Sequence, residues 1–184
     1  RHMLLAHGRA YQEIHRLQPE AQVGTASALR AFKPLRADNK GDQFATALIR
    51  FLSEDAWTTA LRTGVVLPPY GAEYSGALKG AFDFVGINYY TRSLIRFVPS
   101  PVAVFGERML MPGAEVSDSG RDGPYSWYCP EGLYDLCMEM RQFGKPIYIT
   151  ENGLPDADDN QRPRWLVGHL QAVHDAIRHG ADVR

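Results

Sequence analysis

Lys145-Pro146-Ile147-Tyr148-Ile149-Thr150-Glu151-Asn152-Gly153 is the stretch that decides the fold. Pro146 to Thr150 is a short apolar run with Ile147, Tyr148 and Ile149 at its core. That length and composition suit a strand buried in a parallel sheet. A carboxylate directly after such a strand is a poor packing choice. It makes sense at the mouth of a sheet, where Glu151 points into a cleft and Asn152-Gly153 turns the backbone away. The alternative is an exposed glutamate beside an ordinary Asn-Gly turn, and the nine residues alone leave both open.

The neighbouring segments favour the sheet. Upstream, Pro130-Glu131-Gly132 opens a helix whose stripe is Leu133, Leu136, Cys137, Met140 and Phe143, closed by Gly144. Downstream, Asp156 to Gln161 is a polar loop. A further helix then begins near Pro163 and carries Trp165, Leu166, His169, Leu170, Val173 and Ile177 to a stop at Gly180. Phe82, Phe84, Val85 and Ile87 form a second buried strand ending in Asn88-Tyr89-Tyr90. A third strand is expected over Gln22 to Ala26. It follows a helix over Arg1 to Leu17 whose stripe is Met3, Ala6, His7, Ala10, Ile14 and Leu17. Residues 31–43 are polar and basic and read as a loop. Helical spacing resumes at Phe44, Ala47, Leu48 and Phe51 and continues through Trp57 and Leu61 to a C-cap at Gly64. Residues 99–126, rich in Pro, Gly, Asp and Ser, read as a long functional loop.

The predicted order is a helix followed by three strand–helix units, which implies a parallel sheet with helices outside it. The strands begin roughly 60 residues apart, about twice what a minimal unit needs. The excess lies in the strand-to-helix loops, where parallel α/β barrels keep their active sites. Asn88 and Tyr90 alternate with Tyr89 and so share one face. A tyrosine hydroxyl beside a carboxylate can donate to it and keep it ionised and oriented. Rim packing by a tyrosine pair is the alternative for this stretch on its own.

Composition excludes several classes. Of 184 residues, 45% are apolar and 22% charged, the balance of one globular domain. Twenty basic against 21 acidic residues leave a net charge of -1, which does not suggest nucleic acid or an anionic membrane surface as partner. No apolar run approaches the ~20 residues of a membrane span, and no segment reads as a signal peptide. Two cysteines, Cys129 and Cys137, make no disulfide framework and fit a reducing cytoplasm, the expected location. His7, His15, His169, His174 and His179 lie in helical segments without carboxylates at metal-ligand spacing, so neither a metal nor a cofactor is expected.

Three ordered motifs together resemble glycoside hydrolase family 1, the β-glucosidase and β-galactosidase family. They are Phe82-Asp83-Phe84-Val85-Gly86-Ile87-Asn88-Tyr89-Tyr90-Thr91-Arg92, Pro130-Glu131-Gly132-Leu133 and the Lys145 to Gly153 stretch. The match is strong after residue 78 and weak before residue 64. The resemblance implies a (β/α)8 TIM barrel and a retaining β-glycosidase acting on a β-glycoside or oligosaccharide. It makes Glu151 the catalytic nucleophile, Tyr90 the tyrosine that hydrogen-bonds it, and Asn88 a residue of the sugar site. Retaining chemistry also needs a second carboxyl group about 5–5.5 Å away, acting as acid and then base.

The sequence departs from the family in three places. The family's second carboxylate lies in an Asn-Glu-Pro motif, which does not occur here. The family's early Gln and His-Trp sugar-binding motifs are absent too. The family's Gly-Trp pair corresponds to Tyr125-Ser126-Trp127-Tyr128-Cys129-Pro130, with the tryptophan about one position late. Trp127 therefore either stacks on the leaving-group sugar or packs the loop. The expectation is a partial barrel, α/β with parallel strands. Residues 1–184 form a single segment covering strands five to seven, without the N-terminal half and the last strand. Such a sheet has two open edges, so the chain is either part of a longer enzyme or closes its barrel with complementing chains or by self-association. A non-catalytic assembly module is the second reading. Another α/β-barrel hydrolase is the third, less well matched by the motifs.

Overall fold

A computed structural model describes residues 1–118 and 126–184. The part of the expected long loop over 119–125 lies outside the described residues. Helix α1 (His2–Leu17) leads into β1 (Gly24–Ala28), which bends at Leu29-Arg30 and continues as β2 (Ala31–Pro34). Helix α2 (Lys40–Arg50), a π-helical turn (Phe51–Asp55) and α3 (Ala56–Thr63) follow without a break. A small antiparallel pair, β3 (Val65–Val66) and β4 (Glu73–Tyr74), precedes β5 (Phe84–Tyr89). Strand β5 bends at Tyr90-Thr91 into β6 (Arg92–Phe97), and β7 (Gly106–Met109) returns beside it. Helix α4 (Pro130–Met140), β8 (Ile147–Asn152) and α5 (Arg162–Arg178) complete the order.

Two sheets result. The first is parallel, ordered β1-β5-β8. Val183 extends it by a parallel bridge to Ile147. The second, β2-β6-β7, pairs β2 with β6 in parallel and β6 with β7 antiparallel. Strands β1 and β5 therefore pair once below their bends and again above them. The structure corrects the sequence reading here: residues 31–34 and 106–109 are strands inside segments expected to be loops, and β6 was not anticipated. Asp42, fully buried, ties this second sheet to α2. It accepts from the backbone N–H of Arg36 and of Phe97 and from the Arg36 guanidinium. The paired guanidinium holds its carboxyl well below the usual carboxylate range, against the cost of burial.

The main core lies between the first sheet and helices α4 and α5. Ile87, Tyr89 and Ile147 meet Leu133, Leu136, Cys137, Met140 and Ala176 there. Tyr89 donates its hydroxyl to the carbonyl of Cys129, the N-cap of α4, at 2.7 Å. A Cβ at Gly132 would fall on that hydroxyl, which explains the glycine of Pro130-Glu131-Gly132. Gly64 caps α3 at φ 79, its N–H donating to Ala60. Helix α1 differs from its sequence reading. Met3 and Leu17 of the expected stripe are 77% and 69% exposed. The helix packs instead through Leu4 and Gly8, with Tyr11 and His15 bonded to Asp83.

Glu54 sits in the π-helical turn, 7% exposed. One oxygen accepts the Arg30 N–H at 2.5 Å, pinning the bend between β1 and β2. Burial pushes its carboxyl up to about 8; the Arg30 N–H and the Arg50 charge pull the other way, while Asp55 and Glu139 reinforce burial. Among the described residues no helix is long and apolar enough to cross a membrane.

Candidate active site

Side-chain parity assigns the two faces of the first sheet. Val85, Ile87, Tyr89, Ile147 and Ile149 pack toward α4 and α5. Phe84 and Tyr148 point the other way and meet edge to face at 5.1 Å. Strict alternation would send Glu151 to the helix side with Ile147 and Ile149. It does not go there. Ile87 pairs with Ile149, but Asn88 pairs with Glu151, so β8 carries one extra residue at Thr150. This bulge turns Glu151 onto the open face.

Three neighbouring side chains of β8 then bond to β5 and to the bend that follows it. Glu151 Oε2 accepts from the Tyr90 hydroxyl. Thr150 donates its hydroxyl to Asn88 Oδ1. Asn152 donates its amide to the Tyr89 carbonyl at 2.8 Å. Strand β8 runs through Glu151 and Asn152 rather than stopping at Thr150. Tyr90 stands at the bend where β5 leaves the first sheet, which lets it reach the end of β8. Glu151, Tyr90 and Asn88 are thus brought together.

Trp127 is not brought to that cluster. It is 5% exposed, packed with Leu94 and Cys129, and its indole N–H donates to the Arg92 carbonyl at 2.9 Å. The Thr91 hydroxyl caps the same loop, accepting from the Trp127 N–H at 3.2 Å. Of the two sequence readings, loop packing describes its surroundings. Sequence reasoning missed Thr150 and Asn152 as bonding residues. The signal was three polar residues in a row closing an apolar strand.

Other titratable groups lie outside this cluster. His169 is buried against Tyr89, Tyr128 and Trp165 and bonded to the Trp165 carbonyl. Burial lowers its pKa and keeps it neutral. Among the described residues, Asp118, Asp156 and Asp158 bring carboxylate oxygens within 4.8 Å of one another. The backbone N–H groups of Ala157, Gln161 and Arg162 already occupy Asp118 and Asp156 oxygens. The cluster reads as a loop brace at the start of α5.

Parallel strands backed by helices on one face, with a tyrosine-bound carboxylate at a strand end on the other, define an open segment of an α/β barrel. Glycosyl hydrolase family 1 matches residues 1–184, and the chain belongs to that family. It is 32% identical over 192 residues to a β-galactosidase of Sulfolobus acidocaldarius, covering 99% of this chain and 37% of that protein. It is 32% identical over 219 residues to β-glucosidase 13 of Arabidopsis thaliana, covering 99% of this chain and 42% of that one. The structure of a β-glycosidase from Pyrococcus horikoshii superposes with a TM-score of 0.83 at 31% identity, over 98% of this chain and 40% of that one. The chain therefore spans about two-fifths of the length of these relatives. Its fold is a partial (β/α)8 barrel, as the motifs implied.

Proposed function

We propose that this chain carries the nucleophile half of a retaining β-glycosidase site. The observation that carries the reading is the Tyr90–Glu151 hydrogen bond on the open face of the first sheet. Tyr90 holds Oε2 and thereby leaves Oε1 directed at a substrate. In the first displacement Oε1 attacks the anomeric carbon, and the bond from that carbon to the aglycone oxygen breaks. An ester between Glu151 and the sugar forms, and the leaving oxygen takes a proton from an acid. In the second, water attacks the same carbon, gives its proton to the group that served as acid, and the ester opens with Glu151 released. Asn88, beside Glu151 in the register, supplies an amide to a sugar hydroxyl.

The group that serves as acid and then base must stand about 5–5.5 Å from Glu151. The sequence holds no Asn-Glu-Pro motif to provide it. We assign that carboxyl to strands beyond this segment, so the complete activity on β-glucosides or β-galactosides belongs to a closed barrel. The open sheet edges and the exposed inner face favour one second reading, a barrel piece that acts by assembling with other chains.

A leaving group that needs no acid separates the two readings. With 2,4-dinitrophenyl β-glucoside, the chain is expected to release about one equivalent of dinitrophenolate and then stop. E151Q should release none. No burst from the natural chain, or an equal burst from E151Q, would reject the nucleophile reading in favour of the assembly module.

A further inference from the structure

We propose that Thr150 and Asn152 are positioning residues that hold the β8 bulge, and through it hold Glu151 on the open face. The inference rests on the reading of Glu151 as nucleophile. It adds a reason why that nucleophile needs these two neighbours.

Without the extra residue at Thr150, Glu151 would follow Ile147 and Ile149 into the apolar core against α4 and α5. An ionised carboxylate is excluded from such a place unless it is paired. The bulge is therefore a condition for the site. A bulge also interrupts the ladder and leaves one residue outside the regular pairing. Something must make the shifted register preferable to the straight one.

The side chains on either side of Glu151 supply it. Thr150 bonds Asn88 before the turn, and Asn152 bonds the Tyr89 carbonyl after it. The Asn152 bond exists only in the shifted register, and the Thr150 bond ties the bulged residue itself to β5. In the straight one, Thr150 would stand opposite Asn88 and Glu151 opposite Tyr89, so Asn152 would move past the Tyr89 carbonyl. The Thr150 bond has a second consequence. It occupies Asn88 Oδ1, so the side-chain N–H groups of Asn88 face away from Thr150, available to a hydroxyl-bearing ligand.

The chain contains four asparagines, Asn39, Asn88, Asn152 and Asn160, so selective 15N labelling resolves their side-chain amides. The Asn152 side-chain N–H is expected to exchange slowly in the natural chain. In T150V its exchange should speed up about tenfold, the scale of one lost hydrogen bond. T150S should restore slow exchange, and Y90F should leave it slow because the bulge survives. Thr150 is exposed, so these variants do not disturb the core. Unchanged exchange in T150V would overturn the proposal. So would release of Asn152 by Y90F as large as that by T150V, because Tyr90 would then hold the register.

The dinitrophenolate burst gives the functional arm. T150V and N152A should slow it about a hundredfold, the scale of a misplaced reacting group, with T150S near the natural rate. A burst unchanged in both T150V and N152A would also overturn the proposal. Failure of the nucleophile reading shows up separately, as a burst that E151Q retains, while amide exchange still reads the clamp.

Discussion

Replacing Glu54 by glutamine should make this protein more stable at alkaline pH and flatten its pH dependence. Glu54 is buried, and one oxygen accepts the Arg30 N–H where β1 bends into β2. Burial raises its carboxyl to about 8 from an ordinary value of 4.5. Between those values the folded chain holds a proton that the unfolded chain has released. Stability therefore falls as pH rises through that window; the contribution is full below about 4.5 and gone above about 8. At about 1.4 kcal/mol per pH unit between the two values, the loss is at most roughly 5 kcal/mol. Arg50, which also pairs with Asp55 and Glu139, can turn toward the ionised carboxylate. That relaxation brings the expected loss to about 2–4 kcal/mol.

Glutamine keeps the shape and the acceptor for Arg30 and cannot ionise. Urea unfolding of the natural chain and of E54Q at intervals from pH 5 to pH 9 tests this. The two should be close at pH 5, with E54Q ahead by about 2–4 kcal/mol at pH 9. Other carboxyl groups titrate in both and cancel in the difference. A difference that does not change with pH, or an E54Q less stable than the natural chain at pH 9, would refute the reasoning.

Two further predictions concern packing. G132A places a methyl group on the Tyr89 hydroxyl and should cost about 1–3 kcal/mol in urea unfolding. In a Y89F background that cost should shrink without vanishing, because the hydroxyl clash goes while the ring carbon at 2.8 Å stays, so strict additivity of the two substitutions would count against the contact. D42N removes a buried acceptor shared by Arg36 and Phe97. It should cost about 2 kcal/mol, modest because Arg36 is itself half exposed. Because Arg36 holds that carboxyl low, its contribution is present above the usual carboxylate range and lost as pH falls below it. Acid unfolding curves for D42N and the natural chain should converge at low pH, and parallel curves would contradict the pairing.

The sequence made the first sheet legible because β5 and β8 are apolar runs buried against helices, a pattern that composition and length alone expose. Helix α4 was legible for the same reason. Its stripe of Leu133, Leu136, Cys137 and Met140 is the face that packs. The second sheet was not legible. Ala31-Phe32-Lys33-Pro34 and Gly106-Glu107-Arg108-Met109 lack alternation, and they are strands only because β6 lies between them. Tertiary pairing overrode local composition there. Helix α1 shows the opposite error. Its expected stripe lies in solvent, with Met3, Ala6, Ala10, Ile14 and Leu17 exposed, while Tyr11 and His15 bond Asp83 on the face that packs.

At the candidate site, the motif identified Glu151, Asn88 and Tyr90 as a group, and the structure gathers them. The mechanism of that gathering was hidden. Period-two reasoning puts Glu151 on the wrong face, and only the register shift at Thr150 corrects it. Trp127 could not be resolved by position in the sequence, because a one-residue shift decides whether an indole faces a cleft or a core.

Covalent capture with 2-deoxy-2-fluoro-β-glucosyl fluoride, followed by intact mass and peptide mapping, tests the role of Glu151 most directly. The fluorine at C2 slows breakdown of the ester, and the fluoride leaving group needs no acid. With Glu151 as nucleophile, one fluoroglucosyl group per chain is expected, attached to Glu151 and absent from E151Q. A sugar mapped to any other residue, or persisting in E151Q, would contradict it.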